Sequence, residues 1–119
     1  MQISEETLNL VKITVNALKD KKGIDIKVID VSEITPLADY FIIASGSNAN
    51  QVKALCDNVE EQVFKAGYKD PKVEGYNTAS WILLDYSEVV VHIFSEDDRA
   101  FYGLERVWKD GKDIEIDSL

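Results

Sequence analysis

The sequence has 119 residues, of which 45% are hydrophobic, and this suits one folded domain rather than two. It contains 13 basic and 22 acidic residues, for a formal net charge of −9. Extensive nucleic-acid contact is therefore disfavoured, because binding phosphates requires clustered basic groups. A basic protein partner is favoured by opposite charge, although net negative charge also simply keeps a small domain soluble.

Targeting features are missing from the sequence pattern. Residues 1–6 are acidic and lack the basic and apolar stretches of a signal peptide. No apolar run approaches the roughly 20 residues that a membrane-spanning helix needs. We therefore expect a cytoplasmic protein without membrane association. Cys56 is the single cysteine, which excludes an intrachain disulfide and argues against a cysteine-based metal site.

Hydrophobic spacing predicts the elements of the first half. Apolar residues recur at three- and four-residue intervals over residues 4–20 and predict a helix. Alternation over residues 24–31 predicts a half-buried strand, and the apolar run over residues 40–44 predicts a central strand. A second helix is predicted over residues 49–66, and Gly67 ends it.

The second half is predicted to contain three more strands, at residues 72–75, 81–86 and 89–94, and a third helix at residues 96–108. The tail from about residue 110 is weakly patterned. The predicted order is α-β-β-α-β-β-β-α. This order indicates a single α/β domain over residues 1–119, with a mixed five-stranded sheet and helices packed on it.

The hairpin over residues 81–94 carries the functional prediction. If Tyr86 and Ser87 form a two-residue turn, Asp85 pairs with Glu88, Leu83 with Val90 and Trp81 with His92. One face is then apolar throughout, whereas the other mixes aromatic, apolar and acidic side chains, as binding surfaces often do. This mixed face carries Trp81, Leu83, Asp85, Glu88, Val90, His92 and Phe94. An ordinary core covered by helices on both faces explains the same pattern equally well.

Acidic residues surround this hairpin. Residues 73–98 contain no lysine or arginine, but they include Glu74, Asp85, Glu88, Glu96, Asp97 and Asp98. An acidic rim around Trp81 and Tyr86 suits a basic protein surface. The alternative is a chance run of solvated acids.

The sequence offers little for catalysis or metal binding. Gly46-Ser47, between a predicted strand and helix, could bind phosphate as in nucleotidyltransferase folds. Such enzymes need two or three carboxylates on adjacent strands, and the next strand offers only Glu74. We therefore favour a turn and helix-cap role for Gly46-Ser47-Asn48. His92 is the only histidine, so we expect no metal site and no cofactor. Arg99, Tyr102 and Arg106 share a predicted helix surface and could contact a partner, but salt bridging with nearby acids is the default expectation.

Several segments, in order, resemble those of one known family. They are residues 38–47 (ADYFIIASGS), 74–75 (EG), 81–86 (WILLDY), 89–94 (VVVHIF) and 99–108 (RAFYGLERVW). Together they are similar to the ribosomal silencing factor family, also called RsfS or Iojap, over nearly the whole chain. One departure is Ser87, where the family usually has glycine.

The resemblance implies a nucleotidyltransferase-like α/β fold without catalytic carboxylates, and hence a protein that is not an enzyme. It also implies a partner, ribosomal protein fourteen of the large subunit, at the face where the small subunit would dock. Binding there would block subunit joining sterically and repress translation, with little direct nucleic-acid contact. The resemblance places these residues in or beside the contact surface: Trp81, Leu83, Asp85, Tyr86, His92, Arg99 and Tyr102.

Two other hypotheses stay open at this point. The chain could be a divergent nucleotidyltransferase-like enzyme that uses Gly46-Ser47 and Glu74. It could also be a dimerisation module whose aromatic face meets only its own copy. Even a ribosome-binding protein could form a homodimer when free, since the same exposed face could self-associate.

Overall fold

The computed structural model describes residues 4–119. The first three residues belong to the acidic segment for which we expect no leader function, and they lie outside the described residues. The helices are α1 (Glu5–Asp20), α2 (Ala49–Lys65), α3 (Glu96–Tyr102) and α4 (Leu104–Val107). The strands are β1 (Ile24–Asp30), β2 (Tyr40–Gly46), β3 (Lys72–Glu74), β4 (Trp81–Asp85), β5 (Val89–Ser95) and β6 (Lys112–Ile114). A 3-10 turn at Ile116–Ser118 follows.

The strands form one mixed sheet in the order β3-β4-β5-β2-β1-β6. β2 and β5 are parallel, and the other neighbouring strands are antiparallel. This confirms the predicted fold class, but the sheet has six strands and not five. The sixth strand, β6, pairs with Val28–Asp30 of β1. It lies in the tail that we expected to be weakly structured, and its three mostly exposed residues explain why no apolar pattern indicated it.

Helices lie on both faces of the sheet. α1 and α2 pack on the first face, which presents Ile42, Ile82, Val91 and Ile93 to a continuous core. On the second face, α4 and the residue after it cover only part of the sheet. No helix in the described part of the chain is long and apolar enough to cross a membrane.

The third predicted helix is interrupted. We predicted one helix over residues 96–108, but α3 ends at Tyr102 and α4 begins at Leu104. Gly103 between them has a φ of 57°, in the left-handed region where glycine ends helices. The two helices can therefore change direction along the sheet.

The hairpin register differs from the predicted one by two residues. Asp85 pairs with Val90, Leu83 with His92, and Trp81 with Phe94 rather than with His92. The turn moves to Ser87 and Glu88, since the Tyr86 amide donates to the carbonyl of Val89 at 2.9 Å, and within the turn the Ser87 amide donates to Oδ1 of Asp85 at 2.8 Å. A shift of two residues leaves each side chain on its predicted face. The separation of an apolar face from a mixed face is therefore confirmed.

Ser87 in the turn has a φ of 76°, a conformation that costs an L-residue about 1–2 kcal/mol. Ser87→Gly is therefore expected to raise the free energy of unfolding by about 1 kcal/mol, after allowing for the greater entropy of glycine in the unfolded chain. Guanidinium denaturation measures the change.

Ser80→Gly is the matched control, because Ser80 is not among the residues with positive φ. It should lower the free energy of unfolding, by about 0.5–1 kcal/mol. Equal effects of the two substitutions would contradict the assignment of strain to Ser87.

Candidate partner-binding face

The second face of the sheet is open over β4 and the start of β5. Over β1 and β2 it is closed by Leu104 and Trp108, and the Trp108 indole meets the Phe41 ring edge to face at a centroid distance of 5.0 Å. Beyond this cover the side chains are only half-buried. They are Trp81, Leu83, Asp85 and Val90, and the exposed ring of Tyr102 lies beside them. We call these five residues the open face.

Trp81 is the largest side chain of the open face, and aromatic contacts hold it. Its indole stacks on the buried Phe94 ring at 4.9 Å between centroids, and the Tyr102 ring lies tilted at the same distance. Its Nε1–H donates to Nδ1 of His92 at 3.1 Å. The ring is therefore packed on one face and at its N–H edge, and its remaining, half-exposed surface is available to a partner.

His92 lies beneath the open face, with only 4% of its surface exposed. Burial lowers the pKa of the imidazole to about 4, so the ring is neutral at pH 7. A neutral ring can accept the indole N–H through Nδ1 only if Nε2 carries the proton. The structure therefore places His92 directly against Trp81, which in turn contacts Tyr102, and His92 is a buried support for the surface.

Arg99 makes its contacts at the neighbouring end of the sheet. Its buried guanidinium donates through Nε to Oε1 of Glu105 at 2.7 Å, and through Nη1 to Oγ of Ser45 at 2.9 Å and the carbonyl of Ile24 at 3.3 Å. Burial alone would raise the pKa of Glu105, but the hydrogen bonds and charges of Arg99 and Lys27 lower it overall. The expected salt-bridging role of Arg99 is thus confirmed, and it attaches α3 and α4 to the sheet.

Tyr86 lies away from the open face. Its side chain packs against the core beneath α1 and α2, and its hydroxyl is buried without a hydrogen-bond partner among the described residues. Burial, reinforced by the charge of Glu60, raises the pKa of this phenol. The structure therefore does not place Tyr86 beside Trp81. Conversely, Val90 belongs to the open face, as the alternation along β5 predicted, although the resemblance did not place it in the contact surface.

The geometry at Gly46 and Ser47 serves helix initiation. Both the amide and the hydroxyl of Ser47 donate to Oε1 of Gln51, at 2.6 and 2.8 Å, and Asn48 caps α2. A Cβ at Gly46 would lie 2.9 Å from the backbone nitrogen of Val52, so glycine permits close packing of strand and helix. This confirms the turn and cap role. Glu74 does not approach the site, because β4 and β5 lie between β3 and β2.

One further group of possible metal ligands lies on α2. In the described part of the chain, ligand atoms of Cys56, Asp57 and Glu60 lie within 4.8 Å of one another. Burial raises the pKa of the Cys56 thiol, and its hydrogen bond to Glu60 raises it further. The thiol is therefore protonated at pH 7, whereas metal binding requires the thiolate.

Comparison with known proteins identifies the family. A family model described as "Ribosomal silencing factor during starvation" matches residues 4–119. The chain belongs to the ribosomal silencing factor family. The chain is 37% identical to the ribosomal silencing factor of Bacillus subtilis over 92% of each protein. This membership confirms the resemblance seen in the sequence.

Two other relatives extend the comparison of this silencing-factor chain. A crystal structure of a Chromobacterium violaceum protein superposes with a TM-score of 0.84 and 35% identity, covering 92% of this chain and 88% of that one. The mouse protein "Mitochondrial assembly of ribosomal large subunit protein 1" is 28% identical over 82% of this chain and 44% of its own length. The fold is thus shared with a solved bacterial structure.

The buried imidazole of His92 makes stability depend on pH. Its pKa is about 4 in the folded protein and about 6.5 in the unfolded chain, so the unfolded state binds more protons between these values. The free energy of unfolding should therefore fall as the pH is lowered, by roughly 2 kcal/mol from pH 7 to pH 5. Guanidinium denaturation at several pH values tests this.

His92→Gln is the control, because His92 is the only histidine. Its free energy of unfolding should change much less over the same interval. A wild-type stability that is flat between pH 7 and pH 5 would show that His92 titrates normally in the folded protein.

Proposed function

We propose that this protein binds the large ribosomal subunit through ribosomal protein fourteen and thereby blocks joining of the small subunit. Family membership supports a silencing role, since the bacterial relatives carry the name ribosomal silencing factor. The name of the mouse relative, which refers to assembly of the ribosomal large subunit, supports the large subunit as the target. The protein fourteen contact follows from the family resemblance.

The open face is the observation that carries this proposal. It presents a large aromatic ring and two aliphatic side chains, Trp81, Leu83 and Val90, on a rigid β-sheet. Tryptophan on a well-packed surface is typical of residues that dominate the energy of protein interfaces. Asp85 at the edge of the face adds a charge that can select a basic partner.

The charge around the open face favours a protein over RNA. Residues 73–98 contain no lysine or arginine, and on the neighbouring strand the exposed Glu74 lies opposite Leu83, while the exposed Lys72 lies opposite Asp85. A phosphate backbone would be repelled by such a surface, whereas a basic ribosomal protein would be attracted. We therefore propose that direct contact with ribosomal RNA is small.

The proposed mechanism is steric. A folded domain seated on the joining face of the large subunit occupies the space that the small subunit needs. Such a mechanism requires binding alone, with no turnover and no cofactor. This agrees with the helix-capping role of Gly46 and Ser47 and their separation from Glu74. Repression would then depend on the concentration and affinity of the protein.

We also propose that the free protein forms a homodimer through the open face. Half-buried apolar side chains on a sheet self-associate when no other partner covers them. Light scattering across a concentration series should show the dimer, and excess large subunit should convert it into the ribosome-bound monomer. A dimer that persists with excess large subunit would favour the dimerisation-module hypothesis.

Sedimentation with separated ribosomal subunits tests the proposed function. The protein should co-migrate with the large subunit, leave the small subunit free, and reduce the fraction of joined ribosomes. Cross-linking should then connect the open face to ribosomal protein fourteen. Binding to neither subunit would overturn the proposal, and binding with normal subunit joining would overturn the mechanism.

Leu83→Lys is the single substitution that tests most directly whether the open face contacts the partner. Leu83 is half-buried and belongs to neither core cluster of the described chain, so the fold should tolerate the change. A lysine here would meet a basic partner as a like charge and should weaken binding roughly 100-fold or more. A binding assay by sedimentation or fluorescence measures the loss.

Phe64→Lys is the matched control, because Phe64 is an exposed apolar residue on α2, away from the second face of the sheet. It should bind like the wild type. Trp81→Ala should also lose binding while remaining folded, although loss of its stacking on Phe94 will lower stability. Normal binding by Leu83→Lys would exclude the open face as the contact.

A further inference from the structure

The orientation of the Trp81 indole is determined by its single polar group. The ring stacks on Phe94 and lies tilted against Tyr102, but both contacts allow it to slide or turn within its plane. The hydrogen bond from Nε1 to Nδ1 of His92, at 3.1 Å, removes this freedom. It also leaves the outward edge of the indole without an unpaired donor.

Within residues 4–119, the imidazole that accepts this bond uses only one of its two nitrogens in hydrogen bonding. His92 is buried in the middle of β5, and its Nε2 has no hydrogen-bond partner in the described part of the chain. The ring is surrounded by the aromatic side chains of Phe41 and Phe94. An apolar side chain of similar size would fill this space without burying an unpaired nitrogen, which carries a free-energy cost.

Fold stability therefore gives little reason for a histidine at this position. What histidine supplies, and an apolar residue does not, is a buried acceptor aimed at the Trp81 N–H. Its low pKa keeps the acceptor unprotonated at every pH well above 4. The hydrogen bond is thus present whenever the partner would bind.

We propose that His92 is a positioning residue for partner binding, which holds the Trp81 indole in its binding orientation through the Nε1–H to Nδ1 hydrogen bond. This inference rests on the proposed function, because it assigns a role within the same face. A side chain held in one orientation before binding loses less conformational entropy on binding. His92 thereby strengthens binding without itself making the main contact.

A double-mutant cycle tests whether His92 affects binding through Trp81. His92→Leu removes the acceptor, and Trp81→Phe removes the donor but keeps an aromatic ring. His92→Leu should weaken binding to the large subunit about tenfold in the wild-type background, which corresponds to one hydrogen bond. In the Trp81→Phe background the same change should cost less than about twofold.

Equal losses in the two backgrounds would overturn the proposal, because His92 would then act through general packing. The absence of any loss in the wild-type background would also overturn it. Circular dichroism on all four proteins establishes that each one is folded before binding is compared.

A spectroscopic measurement on the free protein separates this inference from the proposed function. The sequence has two tryptophans, so the nuclear magnetic resonance spectrum contains two indole N–H signals. Trp81→Phe removes one of them and thereby assigns it. In the wild type the Trp81 N–H should exchange slowly with solvent, and in His92→Leu its exchange should accelerate at least tenfold.

Failure of the positioning role can be distinguished from failure of the proposed function. Unchanged exchange in His92→Leu would overturn the positioning role while leaving ribosome binding intact. Absence of large-subunit binding by the wild type would overturn the proposed function, and the positioning inference with it.

Discussion

The pairing of β2 with β5 at the centre of the sheet is the constraint on which the other elements depend. Every residue of β2 is buried, so both faces of the sheet must be covered at this strand. The two strands are parallel, and a parallel pair needs a long crossover connection. α2, β3 and β4 form that crossover, which places α2 on the first face and the β4–β5 hairpin beside the centre.

Coverage of the second face is limited by the lengths of α3 and α4. These helices have seven and four residues, and after the change of direction at Gly103 it is Leu104 and Trp108 that pack over β1 and β2. Arg99 attaches them there through contacts to Glu105 and Ser45. β4 therefore keeps a half-exposed second face. The open face is a consequence of where the C-terminal helices end, and the same arrangement supplies the proposed binding surface.

Partner binding by such a face depends on rigidity more than on chemistry. The sheet fixes the backbone, while the stack on Phe94 and the hydrogen bond to His92 together hold the Trp81 indole. No group on the open face has to change its protonation state at neutral pH for binding to occur, since the buried imidazole beneath it is neutral. The proposed steric mechanism needs a surface that is formed before the encounter, and this architecture provides one.

The sequence by itself determined the central features of this protein. Helical spacing identified α1 and α2, and alternation identified the hairpin, since burial of one face leaves a regular apolar pattern, whereas an unbroken apolar run identified β2, which is buried on both faces. The division between the faces of β4 and β5 followed from alternation alone, and it survived a two-residue error in register because the side-chain period is two. The family followed from the order of the motifs.

Only the tertiary structure decided how far each face is covered. Alternation places Trp81, His92 and Phe94 on one face, but their depth depends on α3, α4 and Trp108, which arrive from later in the chain. β6 was missed because its three residues are stabilised by pairing with β1 and not by an apolar pattern of their own. Local spacing specifies direction and periodicity, whereas exposure is a property of distant segments brought together, and the sequence pattern of one strand contains no information about them.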